Sequence, residues 1–409
     1  MEKQMQLVER HIVTKYDKNY KEIDRLSFLS KNLYNYCNYL LRNQYFKNQK
    51  LEKKDRIYIH EYDLTTKLGK EKQLDFMALP SNTSQQIIHV LFKNWKSFYK
   101  LCLTKNFQGK PKIPKYKDKT KGRNIVVFTI NQAKLKNRFI TFPKVKCNLE
   151  PIHTKVTNIC QVRIVPQCGC YVIEVVYKKE KKQNENLKEN IYLGIDLGIN
   201  NFATLVTNSE NVKPVLVNGN TIKSINQYYN KKQALLKSYI GNKGTSNHLK
   251  RLHLKRNNKV NDYMHKVSRY VINYCIQYNI KNIVIGYNKD WKQKINLGKV
   301  TNQKFTNIPY LKFLNQVKYK AELENINFLT HEESYTSKVD HLAYEKLCKH
   351  KEYLGKRIKR GLFQSSIGKL INADVNGAIG ILRKVIGDGF LRNLINTGCG
   401  YQPVRLSIV

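Results

Sequence analysis

Between Ile191 and Asn218 three short apolar runs, IYLGIDL, NFATLVT and VKPVLVN, follow one another across turns of a few residues. They are rich in β-branched residues and too short for helices, so they predict a strand meander. The order after them is as restrictive: helical periodicity from about 222 to 278, a strand KNIVIG at 281 to 286, a helix around YLKFLNQVKYKAEL, a strand NINFLTHEE, a basic irregular stretch, and a helix beginning near Asp374. Such an order predicts an α/β domain with helices packed on one sheet. The first strand carries a single acid, Asp196. A lone carboxylate in a buried strand is costly unless something positive meets it.

The chain before this region reads differently. After a short first strand, the first 110 or so residues are mostly helical, with FLSKNLYNYCNYLLRNQYF and SNTSQQIIHVLFKNWKSFYKL placing apolar residues at helical spacing, the second behind a Ser/Asn cap. From FQGKPKIPKYKDK onward the pattern becomes short alternating segments, NIVVFTI, RFITFP, VRIVP and YVIEVVY, which predict a small β domain with a basic entry loop. The polar stretch KKEKKQNENLKEN, 178 to 190, reads as a linker.

Charge narrows the function. In 409 residues, 74 Lys and Arg face 30 acids, a formal excess of 44 positive charges spread along the whole chain. Self-repulsion on that scale points to a polyanionic partner, nucleic acid before a membrane surface. The first residues have no apolar core of a signal peptide, and no apolar run approaches a spanning helix. Nine cysteines without a CxxC pair suit a reduced, intracellular protein, with Cys168 and Cys170 at a strand turn. Cys348 with His341 and His350 matches no standard zinc spacing, so zinc is not expected. Segment 229 to 270 holds 11 Lys or Arg and one acid, Asp262, opposite an apolar stripe of Val260, Tyr263, Val267, Tyr270, Val271, Tyr274 and Tyr278. Lys250, Arg251, Lys255 and Arg256 on that basic face are candidates for phosphate contact, with a solvated face as the plainer alternative.

The element order from 191 onward is that of the RNase H fold, in which carboxylates hold two metal ions that clamp a phosphodiester. Magnesium takes oxygen ligands and keeps several waters, so a few acids suffice. Besides Asp196, Asp374 in INADVNGAIGILRKV stands before small residues that let a helix sit tight on a sheet, although an Asp there is also an ordinary cap.

Together, DLGINNFATLV and NADVNGA resemble the first and third RuvC motifs of the transposon-encoded RNA-guided nucleases, the TnpB and Fanzor group, relatives of the type V CRISPR effectors. SKNLYNYCNYLLR, LPSNTSQQ, FQGKPKIPKYKDK, IVIGYNKDWKQ, NQKFTNIPYLKF, EESYTSK and GKRIKRGLF extend the resemblance over nearly the whole chain. Two departures stand out. The Glu usual at the end of the fourth strand is Gly286 here, and the resemblance to a rearranged class selects Glu333, just before Thr336 and Ser337, in its place. Parallel neighbours end about 4.8 Å apart, an offset that a Glu side chain covers; strand alternation leaves one of Glu332 and Glu333 facing the site, and Asp290 is a further substitute. The second departure is that the family's four-cysteine ribbon is absent, Val339 standing where it would begin. From 349 to 369, seven Lys or Arg and one acid predict a metal-free basic loop, ordered by its nucleic acid, with Lys356, Arg357, Lys359 and Arg360 as contacts.

The resemblance implies a RuvC nuclease domain with an N-terminal helical lobe and a small β-barrel wedge domain. Its divisions are a first wedge strand at 1–18, a helical recognition lobe at 19–110, a wedge β domain at 111–180, a linker at 181–190, nuclease segments at 191–338 and 371–409, and a basic insertion at 339–370. It further implies an RNA-guided DNA endonuclease in which Asp196, Glu333 and Asp374 ligate Mg²⁺, or Mn²⁺ in its stead, with a guide RNA from the flanking element and target DNA as partners, in a bacterial cytoplasm. Trp291, Tyr335 and Phe363 are either base-stacking residues or core. The rival readings are a nuclease-inactive RNA-guided repressor, with Gly286 as the lost acid, and a transposase acting on DNA without RNA.

Overall fold

The computed structural model describes residues 4–104, 109–241, 243–288 and 298–408, so the substitute acid Asp290 and the stacking candidate Trp291 lie outside the described residues. The chain divides into two compact units, Met1–Glu180 and Lys181–Val409. Among the described residues no helix is long and apolar enough to cross a membrane.

The first unit contains β1 (Gln4–Val13), α1 (Tyr20–Asn48), α2 (Glu61–Lys70), α3 (Leu74–Met77) and α4 (Ser81–Leu103), then β2 (Val126–Thr129), β3 (Lys134–Lys136), β4 (Phe139–Thr141), β5 (Ile152–His153), β6 (Ile159–Gln167) and β7 (Cys170–Glu180). The strands form a four-stranded sheet of order β1-β7-β6-β2 and a three-stranded sheet β3-β4-β5. Helical spacing in α1 and α4 puts Leu26, Leu33, Cys37, Ile88, Leu91 and Trp95 into one core with the inward residues of β2 and β6. The expected Ser/Asn cap of α4 is not formed: Pro80 occupies the cap position without a side-chain hydrogen bond, its fixed φ setting the entry. The β6–β7 turn holds Cys168 and Gly169 at φ of 47° and 79°, a left-handed pair that suits a tight hairpin.

The second unit contains β8 (Lys188–Asp196), β9 (Asn201–Thr207), β10 (Val215–Asn218), α5 (Asn220–Ile240), α6 (Asn247–Gln277), β11 (Ile280–Gly286), α7 (Lys299–Thr306), α8 (Tyr310–Leu323), β12 (Asn327–His331), β13 (Lys356–Lys359), β14 (Leu362–Gln364), β15 (Leu370–Asn372), α9 (Ala373–Ile386), α10 (Leu391–Asn396) and β16 (Val404–Leu406). The main sheet has the order β12-β11-β8-β9-β10-β16. β8, β9 and β10 pair antiparallel, whereas β11 runs parallel to both β8 and β12. β8 begins inside the expected linker because Leu187 is buried and Lys188 already pairs with Ile280.

Strand alternation sorts the residues of this sheet onto its two faces. Leu193, Ile195, Leu205, Ile283 and Ile285 pack with α6 and α8, including the expected stripe of Val260, Tyr263, Val267, Val271 and Tyr274. Phe202 lies at the centre, 4.8 Å from the Phe313 ring and 5.3 Å from that of Tyr263. Burial of each such side chain contributes roughly 1.5–3 kcal/mol. On the other face Val206 and Leu216 meet Val375, Ala378, Ile379 and Leu382 of α9. Period-two alternation therefore sends Gly194 and Asp196, and likewise Gly286, toward α9.

Candidate functional site

The close seating of α9 follows from glycines on both partners. At Gly194 a Cβ would come 2.6 Å from Leu382 Cγ and 2.9 Å from the carbonyl oxygen of Ala378, so no larger residue allows the helix this near. At Gly377 a Cβ would lie 3.1 Å from Asp196 Oδ2. The Asp196 carboxylate thus rests on the first turns of α9, where Asp374 stands one turn before Gly377. Asp374 is not the helix cap. Asn372 caps α9, its Oδ1 accepting from the N–H groups of Asp374 at 3.0 Å and Val375 at 3.3 Å. The Asp374 carboxylate is left to face the sheet, where Asn201 Nδ2 donates to its Oδ2 at 2.7 Å.

Glu333 reaches the same place from the end of β12. Gly286 pairs with His331 in the parallel ladder, and a Cβ at Gly286 would collide with Glu333 Oε1, with its Cγ and with Ile381 Cδ1. The glycine that stands where a Glu was expected is therefore the space through which Glu333 enters. Glu332 is exposed and bonds Ser334, so the two neighbouring acids do point apart.

Asp196 and Glu333 are carboxylates enclosed without sufficient compensation. Burial pushes the Asp196 carboxyl well above the usual range, and Glu333 and Asp374 push it further, against a weaker pull from the Leu197 N–H and Arg357. Burial raises Glu333 to about 7, only partly offset by Lys384. Glu333 Oε1 is buried and has no hydrogen-bond partner. The Tyr310 hydroxyl, which donates to the Gly198 carbonyl at 2.9 Å, is held protonated by burial and by Asp196 and Glu333.

Among the described residues no three His, Cys, Asp or Glu side chains are drawn tightly enough together to hold a metal ion as they stand. Asp374 is turned toward Asn201 and toward Arg357 Nη2 at 3.9 Å. The donor set nonetheless fits a hard cation. It is all oxygen, and it includes a buried oxygen left without a donor.

Asp374 also lines a cleft of about 1170 Å³ whose other walls carry Lys223, Arg357, Lys359, Arg360 and Arg405. Of the basic residues expected on α6, Lys250, Arg251 and Lys255 are exposed, as is Lys356 on β13. Arg256 is half-buried, its guanidinium donating to Asn226 Oδ1 at 2.7 and 2.9 Å and to the Asn307 carbonyl, so it ties α5 and α6 to the turn after α7. Phe363 is buried core and Tyr335 is exposed.

The insertion 339–370 is folded around polar groups of its own. Asp340 accepts from Ser365 Oγ at 2.8 Å, from Ser366 N–H at 2.7 Å and from Ser366 Oγ at 3.0 Å. Glu345 accepts from the N–H groups of Asp340 and Leu354 at 2.6 and 2.9 Å. His341 is buried with both ring nitrogens engaged, by Thr336 and Arg383, and so is not available beside Cys348 and His350. Asn201, Lys223 and Arg405 were not singled out from the sequence; the Asn-Asn pair directly after DLGI was the one available signal for Asn201.

Residues 174–292 match the family described as OrfB_IS605, probable transposase, and residues 310–381 match the Cas12f1-like TNB domain. These two stretches are similar to the OrfB-type transposon proteins and to the Cas12f1-like effectors. Both stretches matter for the site, because the first contains Asp196 and Gly286 and the second Glu333 and Asp374. Its fold is similar to that in the cryo-EM structure of a Cas12f1-sgRNA-target DNA complex, at 14% identity and a TM-score of 0.52, over 88% of this chain and 83% of that one. A CRISPR-Cas12f ternary complex aligns over 88% of this chain and 81% of that one, at 13% identity and a TM-score of 0.37. No curated protein matches by sequence.

Proposed function

We propose that this chain is an RNA-guided, Mg²⁺-dependent DNA endonuclease of a transposable element, cutting beside a short target-adjacent motif at one RuvC-type site. The observation that carries the reading is the unpartnered Glu333 carboxylate, entering through the space at Gly286 beside Asp196 and Asp374. The order β12-β11-β8-β9-β10, with its one antiparallel meander and two parallel additions, fits the RNase H-like architecture. Asp196, Glu333 and Asp374 would hold the metal, which when bound supplies positive charge at the phosphodiester and a water of lowered pKa. The chain's own residues do the rest. Asn201 orients the Asp374 carboxylate, and Lys223, Lys359, Arg360 and Arg405 give the cleft beside it the charge to bind a phosphate backbone. The similar Cas12f1 structure was determined with a guide RNA and target DNA, which supports the same two partners here. Base pairing would then read the target while the protein reads backbone shape.

The test is plasmid cleavage by the full chain co-expressed with RNA from its flanking DNA, in Mg²⁺ or EDTA, comparing wild type with Glu333→Ala. We expect guide-matched, Mg²⁺-dependent cutting that falls by on the order of 10³-fold in the variant. Guide-dependent binding without cutting by the wild type would make the chain a repressor instead.

A further inference from the structure

Glu333 lies beyond the last paired residue of β12, so the sheet alone does not fix it. What does is a chain of hydrogen bonds leading away from the site. The Glu333 N–H donates to Asn288 Oδ1 at 2.8 Å, and its carbonyl accepts from Thr336 twice, from Oγ1 at 2.8 Å and from the N–H at 3.3 Å. The turn so closed holds Tyr335 at φ +65°, a left-handed conformation unusual for a tyrosine. Thr336 is buried, and its own carbonyl faces His341 Nε2 at 2.8 Å.

The tautomer of His341 follows from its other neighbour. Arg383 Nη1 lies 2.9 Å from His341 Nδ1, and a guanidinium can only donate, so Nδ1 is the acceptor and Nε2 carries the proton given to Thr336. Burial, with Arg383 adding to it, holds the ring neutral, its pKa down at about 4. Arg383 is itself fixed, donating to both oxygens of Asp388 at 2.8 and 3.0 Å and to the Glu345 carbonyl at 3.0 Å. Arg383 belongs to α9, the helix that carries Asp374. Gly380, one turn before it, leaves the room the ring needs, since a Cβ there would strike His341 Nε2 and Cε1.

We infer that His341, oriented by Arg383, is a positioning residue that fixes the Glu333 turn against the helix bearing Asp374. A buried histidine used only for packing needs partners for its two nitrogens but has no reason to join these two segments. Here one ring links the acid supplied after β12 to the acid supplied by α9, and so sets how the two stand to each other. The inference rests on the nuclease reading above.

Two substitutions separate the halves of the link. His341→Gln places an amide N–H near the position of Nε2 and keeps the donor to Thr336; His341→Asn keeps an acceptor for Arg383 and loses that donor. Three quantities are measured on the full chain: Mn²⁺ affinity by electron paramagnetic resonance, the Mg²⁺ midpoint of guided cleavage, and the thermal midpoint. We expect His341→Asn to weaken Mn²⁺ binding and raise the Mg²⁺ midpoint by roughly tenfold, with His341→Gln within about twofold of wild type, at similar thermal midpoints. Equal Mn²⁺ affinity in wild type and both variants, whatever their stability, overturns the inference. If neither variant folds, Thr336→Val, which removes the hydroxyl that clamps the Glu333 carbonyl, takes their place with the same expected tenfold loss and the same overturning result. A wild type that neither cuts nor binds Mn²⁺ more tightly than Glu333→Gln overturns the nuclease reading itself, and this inference with it.

Discussion

Asp340 is buried and Glu333, seven positions before it in the same unit, has a buried carboxylate oxygen, and the fold treats the two in opposite ways. Asp340 is wrapped by two serine hydroxyls and by backbone N–H groups, and nearby Glu345 by two more N–H groups. Glu333 has a buried oxygen that receives nothing, and Asp196 faces other acids. A carboxylate whose lone pairs are filled by donors holds a loop together. One enclosed without donors lowers stability, and a proton or a cation relieves it.

The contrast breaks most visibly at Asp340. Asp340→Ala strips Ser365 and Ser366 of their acceptor inside a buried loop and should lower the unfolding free energy by about 3 kcal/mol or more, read by chemical denaturation. A loss well under 1 kcal/mol would put Asp340 in the same class as Glu333.

Acid pH sharpens the comparison next. The folded state holds His341 down at about 4 while the unfolded chain returns it to the usual 6.5, so the unfolded state binds the extra proton first. Its contribution is whole above about pH 6.5 and is lost as pH falls toward 4. Wild type should lose roughly 2–3 kcal/mol more than His341→Gln between pH 7 and pH 4.5 in paired denaturation curves. Parallel curves would show that the ring titrates freely.

The smallest effect has the opposite sign. In metal-free protein Glu333→Gln should raise the unfolding free energy by about 1–2 kcal/mol at pH 7.5, because it removes a carboxylate whose ionisation burial opposes. A drop in stability would mean that a donor reaches Glu333 in solution. Activity and stability would thus move apart at Glu333 and together at Asp340.

The sequence was most readable where a single strand or helix states its own purpose. Asp196 stood out because an acid among Leu193, Ile195 and Leu197 has no packing rationale, and the small residues after Asp374 announced a helix pressed onto a sheet. Glu333 was reached only through the resemblance, since no local pattern says that an acid beyond one strand fills the space at the end of its neighbour. Counting charges along α6 says nothing of the bonds from Arg256 to Asn226 and Asn307, 30 and 51 positions away. The insertion hides its internal order in the same way: Lys and Arg dominate its composition, and nothing local shows that Asp340 bonds Ser365, 25 positions on.

The distance between Asn201 and Asp374 has a consequence for the making of the protein. The two are hydrogen-bonded in the finished site but separated by 173 residues of chain. At ribosomal speeds of about 5–20 residues per second, the strand that bears Asn201 is complete roughly 10–35 s before the helix that bears Asp374. β16, which covers β10 by parallel pairing at Val215, Leu216 and Val217, is translated later still. A nascent chain accordingly carries the basic face of α6, with Lys250, Arg251 and Lys255, before Asp374 is made.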